Sequence, residues 1–302
     1  MKTTLLCTAL AAALLPLAAV ADTTCPAVAK FAPGAISTGD HWEWRLAFTP
    51  SQTRAYWATS VGWWPGTRER SEIRTSQWHP QTGWQPGELV SFSGVYADFD
   101  PFVSPDGQTL YFSSMRPVHG AAKGDMDLWQ VRRGPQGWGT PEHIAAPSID
   151  GYDELYPSVD RAGNLYFARV KAPIPTEDVD IFVARRQSDG NYGPATRVAG
   201  GIDTPDRWEF NPEISPDGRT MLFVRLDLPD ALPDEGYGFG DLYASHLRDG
   251  LWSPAKNLGP CVNTWNDEFH PTVLWEKKQL FFAKQEGGPT SDFHVTPLPA
   301  LD

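Results

Sequence analysis

Along most of the chain, apolar and polar residues alternate in short runs, and no segment carries a convincing 3.6-residue helical period. Runs such as TLYFSS, LYFAR and QLFFAK are rich in aromatic and aliphatic residues and are bounded by Pro, Gly, Asp and Asn. That pattern predicts strands joined by turns. The runs also recur. WEWRLAFTPSQTRAYWAT begins at Trp42, DFDPFVSPDGQTLYFSS at Asp98 and DELYPSVDRAGNLYFAR at Asp153, followed by WEFNPEISPDGRTMLFVR at Trp208 and DEFHPTVLWEKKQLFFAK at Asp267. The aligned acids Glu43, Asp98, Glu154, Glu209 and Glu268 are 55, 56, 55 and 59 residues apart, a register that chance does not keep.

Each copy is followed by a second element (SEIRTS, MDLWQV, VDIFVA, GDLYAS, SDFHVT), and the first four by an aromatic–proline element (GWQPGELV, GWGTPEHI, NYGPATRV, LWSPAKNL). Each unit therefore reads as four short strands. Four-stranded units at this period predict an all-β fold, a five-bladed β-propeller of four-stranded antiparallel blades. The fifth unit lacks its last strand. KFAPGAIS, at 30–37, resembles LWSPAKNL, so an N-terminal strand is expected to complete the last blade and close the ring, removing exposed edges.

With the motifs SPDGQTLYFSS, DMDLWQV, GWGTPEHI and NLGPCVNTWNDEFHPTV in view, the chain resembles the TolB-type, or WD40-like, β-propeller repeat over nearly all of residues 22–302. The first and fifth copies depart from it, with TPSQ and LWEK where the second and fourth have SPDG. The resemblance implies a periplasmic or secreted propeller that binds proteins, peptides or glycans, and it implies no particular reaction.

Residues 1–21 read as a signal peptide: Lys2, an apolar run at 4–18, and the small-residue pattern Ala19-Val20-Ala21. Residues 22–302 then form one propeller domain, and no run suits membrane insertion. Cys25 and Cys261 remain after Cys7 leaves with the leader, and whether they pair is open, since sequence does not supply the distance between them. The net charge of −12 disfavours nucleic acid and anionic membranes as partners.

Candidate chemistry gathers on the repeat. First strands are expected to line the channel, which would place Glu43, Asp98, Glu154, Glu209 and Glu268 around one mouth. Arg45, Asp100, Tyr156, Asn211 and His270 follow two positions on. Crowded carboxylates push one another's pKa values apart and suit acid/base work. The opposing reading is structural: hairpin register sets Glu154 opposite Arg169, Glu209 opposite Arg225 and Glu268 opposite Lys284, with Arg116 in reach of Asp98. Ligand-binding candidates are therefore Glu43, Asp98, Asp100, Glu154, Glu209, Glu268, His270, Trp42 and Trp208, with Glu43 and Asp98 foremost. Trp63-Trp64 is expected on the same face, and Trp84, Trp138 and Trp252 between blades.

A second acidic series, Glu72, Asp127, Asp180, Asp241 and Asp292, opens the third strands and is expected to accept backbone N–H groups. Asp125/Asp127 and Asp178/Asp180 have calcium-like spacing, but the full Asp-x-Asp-x-Asp-Gly loop is absent, and no metal or cofactor is expected. G-x-S-x-G, H-E-x-x-H and the phosphate-binding G-x-x-x-x-G-K are also missing. The leading expectation is a non-catalytic propeller that holds a protein, peptide or glycan at its channel mouth and long loops. The alternative is a carbohydrate-active hydrolase or lyase using two of Glu43, Asp98 and Glu154.

Overall fold

The computed structural model describes residues 25–62, 71–172, 179–205, 207–227 and 240–301. The leader at 1–21, Trp63-Trp64, Asp178 and most of the loop RLDLPDALPDEGYGFGD lie outside the described residues. Five antiparallel sheets form the blades of a β-propeller, one for each sequence repeat. The inner strands are Trp42–Phe48, Asp98–Val103, Tyr152–Val159, Arg207–Ile214 and Glu268–Leu274. Each pairs with the strand that follows it, and that strand with a third. The outer strand is a single piece in blade three (Tyr192–Arg197) and two short pieces in blades one, two and four.

Blade five is completed by the N-terminus. Ala29–Lys30 pairs antiparallel with Asp292–Pro297, Ala29 opposite Val295 and Lys30 opposite His294. Only those two residues are strand; the rest of KFAPGAIS folds into a tight turn bridged between Pro33 and Ser37. Cys25 and Cys261 form a disulfide that ties this segment to the loop before blade five, with Cα atoms 5.1 Å apart. Among the described residues no helix is long and apolar enough to cross a membrane.

Blades pack through aromatic residues at one repeat position. Trp138 of blade two donates its indole N–H to the Tyr56 hydroxyl of blade one at 3.2 Å, and Tyr192 of blade three bonds Tyr111 of blade two at 3.1 Å. Trp84 stacks edge-on against Phe31, the residue after the closing strand, at 5.7 Å. Trp252 is buried between blades three and four, in one cluster with Tyr166, Val183 and Phe223. A Cβ on Gly201 would sit 2.4 Å from Pro254 Cα, so only glycine permits blades three and four to meet this closely.

The inner strands share one irregularity that the alternation of side chains does not reveal. Every inner strand is bulged between its third and sixth aligned positions, and the bulged residue has positive φ: Arg45 33°, Asp100 55°, Tyr156 61°, Asn211 52° and His270 52°. A non-glycine residue in this region is uncommon. Five at equivalent positions make it a property of the fold rather than a local accident. A bulge breaks the period-two alternation and re-aims the side chain.

Candidate functional site

The loops that precede the inner strands and those that link second to third strands emerge at the same end of the blades, because neighbouring strands are antiparallel. The acid series lies at this end, but the structure does not leave it lining an open mouth. Glu43, Asp98, Glu154 and Glu268 are 0 % exposed and Glu209 is 1 %. Each carboxylate is turned against the loop just before it. Glu43 accepts the Thr38 N–H at 2.8 Å, Asp98 the Ser93 hydroxyl at 2.7 Å, and Glu154 the Ile149 N–H at 3.3 Å. Glu209 accepts the Thr204 hydroxyl and Glu268 the Thr264 hydroxyl, both at 2.6 Å.

A cation closes four of these clamps: Arg116 on Asp98 (2.8 Å), Arg169 on Glu154 (2.8 Å), Arg225 on Glu209 (3.0 Å) and Lys284 on Glu268 (3.6 Å). The three arginines also donate to loop carbonyls, those of Phe92, Pro147 and Ile202. Carboxylate and guanidinium thus grip opposite polarities of the same loop backbone. Buried charges paired and hydrogen-bonded in this way are held in place by the cost of separating them. In this arrangement none of the five acids reaches solvent.

Glu43 differs from the other four. It has no ion-pair partner among the described residues, its Oε2 is buried without a hydrogen bond, and burial pushes its pKa up to about 8. A carboxyl whose folded pKa lies above the ordinary glutamate value of about 4.3 binds its proton more tightly when folded. Its contribution to stability is therefore complete below that value and is lost as pH rises toward about 8. Denaturant midpoints across pH 5 to 9 are expected to fall more steeply for the wild type than for Glu43→Gln. Parallel curves would show that Glu43 does not titrate in this window.

The bulged residues meet on the axis. Arg45 of blade one donates to Glu213 Oε2 at 2.6 Å and to the Pro212 carbonyl at 3.0 Å, both in blade four. His270 of blade five approaches Asp100 of blade two to 3.7 Å. Blades one and four are not neighbours in a five-blade ring, nor are two and five, so these contacts cross the channel and plug it. Asn211 accepts the His270 N–H at 3.0 Å, and His270 lies edge-on to Tyr156 at 5.3 Å. Burial pushes Asp100 and Glu213 up to about 7 against the pull of Arg45. Burial, reinforced by Arg45, holds His270 well below its ordinary value, so it is neutral and its approach to Asp100 is not an ion pair. Beyond the plug the channel opens into a hollow of about 110 Å³ with apolar walls, including Leu46, Phe102 and Val159, and Glu213 at its edge.

The remaining candidates sort by burial. Trp42 is 5 % exposed and stacked on Trp44 at 5.6 Å, and Trp208 is half-buried against the core. In the second acidic series the partners are chiefly side chains rather than backbone N–H groups. Asp127 meets His143 (2.9 Å), Asp241 meets Asn257 (2.9 Å), Asp292 meets Lys30 (2.5 Å) and Asp180 meets Arg197, each partner lying in or beside the outer strand. Glu72 pairs with Arg74 of its own strand. The Asp125/Asp127 pair encloses the Lys123 ammonium at 3.3 and 3.4 Å, a cation supplied by the chain itself.

Sequence reasoning passed over Trp265. It is 88 % exposed, the most exposed of the large apolar side chains among the described residues. Its loop is fixed on both sides: Cys261 is in the disulfide, Asn263 is buried and bonded to Leu242, Thr264 is clamped by Glu268, and after Trp265 the Asp267 carboxylate accepts the Gly240 N–H at 3.0 Å. Val95, Tyr96 and Ile149 project from the equivalent loops of blades two and three and are 78 %, 39 % and 45 % exposed. The signal in the sequence is an aromatic residue among the few before a repeat acid, at a position where the other copies do not repeat it.

No family model matches the chain, and no curated protein matches it. Solved structures do share its fold. A GH43 endo-arabinanase from Bacillus licheniformis superposes with a TM-score of 0.54 at 11 % identity, over 87 % of this chain and 96 % of that one. An endo-arabinase from Bacteroides thetaiotaomicron VPI-5482 gives 0.54 at 14 % identity, over 89 % and 98 %. A protein of unknown function from Dyadobacter fermentans DSM 18053 gives 0.53 at 12 % identity, over 90 % and 83 %. At these identities the likeness is one of fold.

Proposed function

We propose that the protein engages a glycan on the face where the inner strands begin, gripping it with the loop tips rather than with the acid series. The observation that carries this reading is Trp265, an indole left in water on a loop fastened by a disulfide and a buried carboxylate. An exposed, rigidly mounted aromatic supplies contact area at little entropic cost and stacks on the apolar face of a sugar ring. The presence of two arabinan-degrading enzymes among the structures that share the fold supports a glycan over a protein ligand. The disulfide and the leader-like N-terminus support a periplasmic or secreted location. A place among TolB-type propellers rests on the repeat motifs.

Turnover is the second reading, and the same fold neighbours favour it, since glycoside hydrolases recur among them. Hydrolysis needs two carboxyl groups roughly 5–9.5 Å apart across an open pocket. Glu43, Asp98 and Glu154 are sealed under loops and Asp100 lies in the plug, so catalysis requires one of these contacts to open. Affinity electrophoresis against arabinan and a panel of other polysaccharides, with reducing ends assayed in the same samples, separates the readings. Retention of the wild type, lost in Trp265→Ala and without reducing ends, is the expected result. Reducing ends that vanish in Asp98→Asn or Asp100→Asn would establish the hydrolase instead. No retention and no products across the panel would overturn both.

A further inference from the structure

A groove of about 480 Å³ runs along the seam between blades five and one, at the opposite end of the blades from Trp265. That volume falls within the range of small-molecule sites, roughly 300–1,000 Å³. The seam lacks an inter-blade hydrogen bond that the junctions of blades one with two and two with three possess. Tyr56 and Tyr111 stand at one register position after the inner-strand bulge, and their hydroxyls are taken by Trp138 and Tyr192 of the next blade. In blade five that position is Phe281, which has no hydroxyl to offer. The indole of Trp84, at the place of Trp138, forms no hydrogen bond among the described residues and turns edge-on to Trp78 at 5.7 Å and 64°. Trp78 is 42 % exposed. The junction thus holds two inclined indoles with a cleft before them.

The rest of the lining specifies the occupant. Ser51, Gln52, Thr53 and Gln279 contribute neutral hydrogen-bonding groups, and the Gln52 Oε1 is buried with no protein donor. Lys277 is the sole charged residue in the lining, and it forms no ion pair among the described residues. No carboxylate lines the groove, in a chain where acids outnumber Lys and Arg by 37 to 25. Flat apolar platforms, side chains that both donate and accept, and one uncommitted cation are complementary to a hydroxyl-rich ring bearing one negative charge. We infer that the seam groove is a binding site for a uronic acid residue of an acidic glycan, stacked on Trp78 with its carboxylate at Lys277. This site is separate from the loop face of the proposed function and does not rest on it.

Titration of the full chain with trigalacturonic acid, followed by calorimetry, tests the assignment. A neutral galactose trisaccharide and an acidic peptide containing phenylalanine serve as competing probes. Trigalacturonate is expected to bind and the neutral trisaccharide to bind more weakly. Lys277→Gln should weaken trigalacturonate about two- to fivefold, the range of a solvent-exposed ion pair, and remove its salt dependence. Trp78→Ala should weaken both sugars by about tenfold. Trp78→Phe keeps a ring and should retain part of the affinity, which guards against reading a folding defect as lost binding. Carrying Trp265→Ala in every sample removes any contribution from the loop face. Absence of trigalacturonate binding, affinity indifferent to Lys277→Gln, or tighter binding of the peptide at the same residues would each overturn the assignment.

Discussion

Arg45→Met is expected to lower folding stability by about 3–5 kcal/mol, the usual cost of removing one member of a buried ion pair. Arg45 is 0 % exposed and is the cation that faces both Glu213 and Asp100 across the channel. Its removal strands Glu213, whose remaining bond is from the Val273 N–H at 3.2 Å. The stranded carboxyl relieves its burial by protonating, which gives the defect a pH signature. Glu213 already sits near 7 beside Arg45, and without that guanidinium its pKa rises further above the unfolded value. A group of this kind loses its stabilising contribution as pH increases. Urea midpoints should therefore separate more widely between variant and wild type at pH 8 than at pH 5. Arg45→Met combined with Glu213→Gln should recover part of the loss, because Glu213 is then no longer stranded and only Asp100 is left without its cation. A double variant as unstable as the single one would mean that packing against Phe102, over which the guanidinium lies at 5.4 Å, matters more than charge.

Reducing the Cys25–Cys261 disulfide, or replacing Cys25 with serine, is expected to cost about 2–5 kcal/mol and about 5–15 °C in Tm. The bridge joins residues 236 positions apart. A loop of that length lies at the upper end of the chain-entropy scale, about 5 kcal/mol. The strand it secures is only Ala29–Lys30, whose side-chain tie is the half-exposed Lys30–Asp292 pair. So short a strand supplies little of its own affinity for Asp292–Pro297. Thermal melts with and without reductant measure the effect directly. Cys25→Ser should match the reduced wild type and ignore reductant. Melts that coincide in all conditions would show that the closing strand holds without the bridge.

Much of the architecture was legible because the repeat keeps register. The spacing of the acids predicted five blades, and the hairpin turns set Glu154, Glu209 and Glu268 opposite Arg169, Arg225 and Lys284, the pairs that the structure contains. The direction in which the residues two positions after those acids point was not legible. It depends on the bulge at Arg45, Asp100, Tyr156, Asn211 and His270, and a strand with one extra residue looks, as a string, like a strand without it. Alternation alone placed acids and bulged residues on one side, whereas the backbone turns the acids under the loops and the bulged residues to the axis. Glu213 escaped notice because it follows the bulge in blade four and matches no acid in the other copies. The pairing of Cys25 with Cys261 depended on ring closure, a property of the whole chain that neither cysteine's neighbours encode.

The pairing of the first strand with the last has a consequence for biogenesis. A ribosome delivers Lys30 long before Asp292, its partner 262 residues away, so the ring cannot be sealed until synthesis of the last blade is complete. Until then every growing chain presents an unpartnered blade edge, and each unit must be kept from pairing with a neighbouring polypeptide. Contacts of such sequence separation also slow the final step. A chain truncated before residue 292 would retain its early blades yet stay open, vulnerable to proteolysis however well those blades had formed.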